Sequence, residues 1–376
     1  MTEQRTYLDH NATAPLRPEA RSAMLAALDV AGNPSSVHAE GRQARSIVEN
    51  AREQVARLVG ARPSQVVFTS GATEANAWLL RAGWDVVFAS GIEHDSVLAS
   101  IRAANARLVD LPVGRDGVVA AGAISEALDG AADGRRLVTL QLANNETGAI
   151  QPVAEAAELA HAHDVLFHCD AVQGAGKIAI DFTALGADSM SLSAHKIGGP
   201  KGIGALVLRD GFEPTPLIAG GGQERRRRAG TENVAGIAGF GAAAEAALRD
   251  LADMPRLAGL RDRLEREALA MVPQAVVVAQ NTPRLANTTC IAAPGMSAET
   301  MVIKLDLAGV AVSAGAACSS GKVGSSAVLA AMGLSEHIAR SAIRVSLGWS
   351  SADRDVDTFL AAWTAIAGAQ RPAAAA

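Results

Sequence analysis

Aromatic residues are scarce, at 3% of 376 residues with a single tyrosine. Base-stacking platforms for single-stranded nucleic acid need several of them, so that class of function is disfavoured at once. Positive charge is not in excess either, with 34 Lys and Arg against 39 Asp and Glu, a net of −5. The chain as a whole therefore offers no electrostatic attraction to nucleic acid or to an anionic membrane. No apolar run approaches the roughly 18–20 residues of a membrane-spanning helix. The most continuous one, 234–244, is short and broken by glycine. The opening MTEQRTYLDH carries acids and no apolar stretch, unlike a secretory signal. Cysteines number three, Cys169, Cys290 and Cys318, without C-x-x-C spacing. An odd count so spaced suggests neither a disulfide framework nor a zinc knuckle. The expectation is a cytoplasmic protein with neither membrane nor nucleic-acid partner.

Material for a core is ample: 49% of residues are hydrophobic and 19% charged, which excludes disorder as the dominant state. The length suggests two domains at roughly 150 residues each. Short apolar runs at 65–69, 85–90, 107–113, 137–142, 165–170, 189–193 and 203–208 alternate with helical stretches. Most lack apolar/polar alternation, as do strands buried on both faces of a parallel sheet. Before the first of these runs, Ala44, Ile47, Val48, Ala51, Val55, Leu58 and Val59 recur at helical spacing over 37–59, and Gly60 follows where a C-terminal cap belongs. Beyond about 235–260 an alanine-rich helical pattern leads to shorter strands at 274–279, 287–292, 310–313 and 343–346. The pattern predicts an α/β layered fold with a mostly parallel sheet, followed by a smaller C-terminal α+β domain.

Two strand ends carry chemistry. Lys196, in SAHK (193–196), follows an apolar strand and precedes the glycine-rich IGGPKG. A lysine desolvated there can act as an amine nucleophile, although a solvated lysine at a turn fits the same residues. Asp170, in HCDAVQ (168–173), also ends an apolar strand, where an unpaired carboxylate is expensive to bury. A pyridinium nitrogen would satisfy it, as it does in pyridoxal-phosphate sites; capping the next helix is the plainer alternative. SGATE (70–74) follows a strand and opens a helix, so its backbone N–H groups and hydroxyls converge on an anion. Glu74 is expected to point away from that anion. His161-x-His163 with His168 lacks a further ligand of suitable spacing for a metal, and Arg225–Arg228 reads first as a solvated charge cluster.

Together with EHDSV (93–97), NNETG (144–148), GGGQERRRRAGTEN (220–233), SAGAACSSG (313–321) and SAIRVSLG (341–348), these motifs resemble those of the cysteine desulfurases, in family order along nearly the whole chain. That family consists of pyridoxal-phosphate enzymes of the class V aminotransferase group, with the α/β fold-type-I architecture, which implies a large domain over 15–245 with a mostly parallel seven-stranded sheet and a smaller α+β domain of 1–14 with 246–376. The resemblance implies conversion of L-cysteine to L-alanine, with the sulfur passed to Cys318 as a persulfide for iron–sulfur cluster or other sulfur-cofactor assembly. The same-fold rivals are a selenocysteine lyase and an aminotransferase, and a non-catalytic sulfur-relay protein is the rival of another class.

Carried over to this sequence, the resemblance implies that Lys196 carries pyridoxal phosphate, Asp170 pairs with its ring nitrogen and Gln173 with its phenolic oxygen. His94 would stack on the ring and take part in proton transfer. Ala72, Thr73, Ser193 and His195 would hold the phosphate, joined by Thr231 from the partner subunit of a homodimer. Asn145 would serve both cofactor and substrate, and Arg344 would bind the substrate carboxylate. Cys318 lies in a small-residue stretch without apolar periodicity, resembling the longer-loop subgroup that delivers sulfur to an acceptor or scaffold protein. No resident metal is implied, only transient ligation of an iron–sulfur cluster by Cys318. Cys169 and Cys290 sit in apolar strand-like runs and read as buried structural thiols.

Overall fold

A computed structural model describes residues 5–130, 133–315 and 326–368. The N-terminal segment begins with a short strand, β1 (Thr6–Tyr7). Seven strands then follow, alternating with helices: β2 (Val66–Thr69), β3 (Val86–Ala89), β4 (Arg107–Asp110), β5 (Arg136–Gln141), β6 (Leu166–Asp170), β7 (Ser189–Ser193) and β8 (Gly204–Leu208). They are the seven expected apolar runs, trimmed at the ends, and they form one sheet in the order β2-β8-β7-β6-β5-β3-β4. All neighbours pair in parallel except β8, which is antiparallel to both β2 and β7. Residues of β2, β3, β7 and β8 are buried throughout, as helices on both faces require. Only β4 departs, being an edge strand exposed over most of its length.

The long helix Ala39–Leu58 illustrates how sequence builds this layer. His38 caps it through its ring, accepting the Gly41 N–H. Ala44, Val48, Ala51 and Val55 face the core, and Gly60 ends the helix with a φ of 62° that disfavours any side chain. Its neighbour is the helix Val234–Asp250, where glycine and alanine let the two approach closely: a Cβ on Gly241 would come within 2.6 Å of the Ala51 Cα.

A second sheet, in the order β12-β13-β10-β9, contains β9 (Val276–Val277), β10 (Thr288–Ala292), β12 (Ser313–Ala314) and β13 (Ala342–Ser346). The run expected at 310–313 breaks in two: β11 (Val310–Ala311) pairs with β1 instead, while β12 pairs with β13. Val312 between them turns into the second core. That core gathers Leu8 with Leu264, Leu305, Ile343, Val345, Phe359 and Trp363, under the helices Met254–Met271, Ala298–Leu307 and Asp353–Gly368. Because Ile343 and Val345 point into it, strand alternation turns Arg344 to the opposite face, toward the large sheet.

Candidate active site

The carboxyl ends of β2, β3, β5, β6 and β7 open onto a cavity of about 460 Å³, where open α/β sheets bind their ligands. Lys196, Asp170, His94, Gln173, Asn145 and Arg344 all line it, as do Ala72, Thr73, Ser193 and His195. Ten positions from six separate stretches of sequence thus meet in one hollow. Asn11 and Thr13 of the N-terminal segment complete its wall.

One end is built for an anion. The helix Ala72–Leu80 starts at the cavity, and its first N–H groups have no intrahelical partner. Its N-cap is Gly71, with no side-chain cap bond, so capping does not occupy the Ser70 and Thr73 hydroxyls. Glu74 lines the cavity rather than pointing away, but its charge is held: it accepts the Ser70 N–H at 2.7 Å and Arg228 Nε at 3.0 Å. Burial pushes its pKa up, yet the hydrogen bonds from Arg228 and Ser70 leave it below the usual value. His195 Nδ1 lies 2.6 Å from Thr13 Oγ1. Burial, followed by the charges of Lys196 and Lys201, brings its pKa down to about 4, so its ring is neutral near pH 7.

Toward the middle, Lys196 Nζ donates to the carbonyls of Asn11 at 2.7 Å and Ala12 at 3.0 Å. Asp170 caps the turn after β6 by accepting the Val172 N–H at 3.0 Å; a turn and not a helix follows it, so the helix-capping alternative does not hold. Its other oxygen accepts Asn76 Nδ2 at 2.9 Å. Asn76 in turn accepts Ser191 Oγ at 2.5 Å and stands 3.1 Å from His168 Nε2. This buried network fixes the carboxylate at the cavity wall. Glu93 stands behind it, its carboxyl pushed well above the ordinary value by burial and then by the negative charge of Asp170. His94 caps the helix Asp95–Ala103, its Nδ1 accepting the Ser96 N–H at 3.1 Å, which sets the ring at the rim.

Arg344 is 2% exposed. It donates to Asp9 Oδ1 at 2.8 Å and to the Asn145 carbonyl at 3.2 Å, while its buried Nε has no partner among the described residues. A buried guanidinium N–H left unmade is costly.

Several residues in this site escaped the sequence reading. Asn11 is one, receiving Lys196 and Gln173 on its backbone carbonyl. Lys177, four residues after Gln173, carried the only cue, a helical-turn spacing. Glu146 of NNETG is buried, accepts Ser326 Oγ at 2.6 Å, and has its pKa raised to about 7, mainly by burial.

Other expectations fall elsewhere. Thr231 lies outside this cavity, on an adjoining hollow that shares Ser70 and Gly202 with it. Cys318 lies outside the described residues. Cys169 and Cys290 are free and buried, and burial pushes both thiols up. His161 and His163 pair with Asp188 and Asp129. No group of three or more potential metal ligands occurs among the described residues. The arginine run is not one solvated cluster: Arg225 and Arg226 are exposed, but Arg227 forks onto Glu213 and Arg228 docks on Glu74. Acidic side chains facing that end of the run divide it. Among the described residues, no helix is long and apolar enough to cross a membrane.

An amine, a fixed carboxylate, a rim imidazole and a helix N-terminus in one cavity fit a phosphate-bearing pyridine aldehyde. The unpartnered Arg344 N–H adds a place for a carboxylate substrate.

Comparison with known proteins agrees. The family model for aminotransferase class V matches residues 6–359. A cysteine desulfurase of Cereibacter sphaeroides is 44% identical over 369 residues, covering 95% of this chain and 94% of that protein. The structure of a NifS-like protein from Rickettsia africae superposes with a TM-score of 0.89 at 36% identity, covering 96% of this chain and 99% of that one. The structure described as SspA in complex with cysteine has a TM-score of 0.78 at 31% identity, with coverage of 91% and 98%.

Proposed function

The chain belongs to the class V aminotransferases and is a pyridoxal-phosphate-dependent cysteine desulfurase, and on that premise we propose how its own residues divide the work. The convergence of Lys196, Asp170, His94 and Arg344 on one cavity carries the reading. Pyridoxal phosphate, when bound, supplies an electron sink that makes the substrate Cα acidic.

Lys196 would hold the cofactor covalently, and its amine would move the proton at the substrate Cα. Asp170 would keep the ring nitrogen protonated, since a buried carboxylate favours the charged form of a neighbouring base. Gln173 would donate to the ring oxygen and His94 would cover the ring face. The N–H groups of Ala72 and Thr73, with Ser193 and His195, would bind the phosphate. Thr231 would reach the phosphate of the partner subunit in a homodimer. Arg344 forks onto the substrate carboxylate, with Asn145 beside it. The Cys318 thiolate attacks the substrate sulfur: the S–S bond forms as the C–S bond breaks, and the carbon skeleton leaves as L-alanine after taking up a proton. The persulfide then passes to an acceptor or scaffold protein for iron–sulfur cluster assembly, in the cytoplasm. The second core, built from Leu8 and residues of 257–366, supports a small domain of 1–14 with 246–376 beside a large one of 15–245, although Val278, Cys290, Ala292 and residues of 328–342 pack with the first core.

Cys318→Ser tests the assignment. The variant is expected to bind pyridoxal phosphate and to change its visible spectrum on adding L-cysteine, yet to yield almost no alanine or persulfide. Turnover at the wild-type rate with dithiothreitol present would refute the desulfurase mechanism and favour a lyase.

A further inference from the structure

Lys177 is buried, at 8% exposure, and no carboxylate forms an ion pair with it among the described residues. Lysine in such a place is rare and expensive. Burial, followed by the positive charges of Lys196 and Arg344, pushes its pKa well below the ordinary lysine value, and Lys177 in turn helps lower that of His10. What it does with its N–H groups is specific. Nζ donates to Gln173 Oε1 at 2.7 Å and to Asn11 Oδ1 at 2.9 Å.

The sequence builds this contact locally. After β6 the chain makes α-type turns, with Ala175 N bonded to Ala171 O and Ile178 N to Gly174 O. Gln173 and Lys177 stand four residues apart across those turns, which bring the Lys177 amine onto the Gln173 amide. Gly176, with a φ of 69°, admits the close packing this needs, since a Cβ there would come within 2.9 Å of Ala247.

A glutamine amide has two ends of nearly equal shape, one accepting and one donating. A lysine nitrogen as placed here donates to both oxygens. It therefore selects the Gln173 orientation with Oε1 buried against Lys177 and the NH₂ end on the other side. One N–H of that end goes to the Asn11 carbonyl at 2.9 Å. The second remains for a ligand in the cavity that Gln173 lines. Asn11 is set by the same donor: Lys177 and Asn287 Nδ2 occupy its Oδ1, which turns its Nδ2 to the Asn145 carbonyl and Thr288 Oγ1.

We propose that Lys177 is a positioning residue of this site, a buried donor that locks the Gln173 amide with its NH₂ toward the cofactor's ring oxygen and anchors the Asn11 segment against Lys196. The inference rests on the assignment of Gln173 to that oxygen. A donor held against the oxygen stabilises its anion and weakens the anion's hold on a proton shared with the neighbouring nitrogen. Losing the donor therefore raises the pH at which the bound cofactor's visible absorption titrates.

The test is a pH titration of the visible spectrum, with cofactor affinity measured alongside, for Lys177→Met, Lys177→Gln, Gln173→Ala and the Lys177→Met/Gln173→Ala pair. Lys177→Met is expected to raise the midpoint by about one unit and to weaken cofactor binding about ten-fold, the scale of one lost hydrogen bond. Lys177→Gln, which can donate but does not compel the orientation, covers the case in which the methionine variant fails to fold and is expected to raise the midpoint partway. Gln173→Ala is expected to raise it as far as Lys177→Met does, and the double variant no further. A midpoint unmoved in folded Lys177 variants, or shifts that add in the pair, would overturn the positioning role. An unmoved midpoint in Gln173→Ala would overturn the Gln173 assignment itself, and the inference with it.

Discussion

Arg344→Ala offers the most direct measure of what the site is for. The side chain it removes is 2% exposed, forks to Asp9 and the Asn145 carbonyl, and keeps a buried Nε without a partner among the described residues. Two consequences follow, and they differ in size. The lost charge-assisted contact with the substrate carboxylate is on the order of 2–4 kcal/mol, about thirty- to a thousand-fold in kcat/KM for L-cysteine. The second is structural: Asp9 loses its ion pair but keeps Ser313 Oγ at 2.8 Å. Asp9 is 17% exposed at the side chain, so the cost lies below the roughly 3–5 kcal/mol of a fully buried broken pair.

The two effects separate experimentally. Steady-state alanine production gives kcat/KM, while thermal unfolding gives the stability loss. Arg344→Lys keeps the charge and loses the fork, and its kcat/KM is expected to fall between those of the wild type and the alanine variant. Cofactor binding is expected to be unchanged throughout, because the groups proposed to hold the cofactor lie on other elements. If Arg344→Ala lowers the melting temperature but leaves kcat/KM on L-cysteine untouched, the guanidinium serves the fold and not the substrate.

Glu146→Gln is expected to change how stability depends on pH. With a folded pKa near 7 against 4.5 unfolded, the native Glu146 carboxyl binds more protons over that window, so its contribution falls as pH rises from about 4.5 to 7 and is level above; the total is on the order of 3 kcal/mol. The glutamine variant therefore gains relative to wild type across that range, and melting curves whose difference stays flat with pH would contradict it. Arg226 is exposed and holds a φ of 68°, a left-handed conformation costing on the order of 1–2 kcal/mol. Arg226→Gly is expected to raise stability by about 0.5–1 kcal/mol after glycine's unfolded-state entropy is counted, and a lowered melting temperature would show that the side chain matters more than the strain.

The legible part of this molecule was what repeats or what stands at strand ends. The seven apolar runs became the seven strands of the large sheet because burial on both faces leaves a continuous apolar signature. Lys196 and Asp170 were visible because each breaks such a signature at its carboxyl end. Arg344 was named through the resemblance of SAIRVSLG alone, and the burial of Ile343 and Val345 on either side accounts for its turning to the other face.

What escaped is the layer behind those residues. Asn76 holds Asp170 and is itself held by His168 and Ser191, and nothing local in its sequence marks the meeting. Asn11 is brought against Lys196 across 185 residues of chain. A hydrogen-bonded network of this kind is specified by tertiary placement, so single-sequence periodicity is blind to it. Lys177 is the exception that explains the rule. Its partner Gln173 is only four residues away, joined to it across the turns at Gly174 and Gly176. A side chain that can only donate, set one turn from an amide that can face either way, decides which end of that amide the ligand meets. The chemistry at the cavity surface thus depends on a residue beneath it.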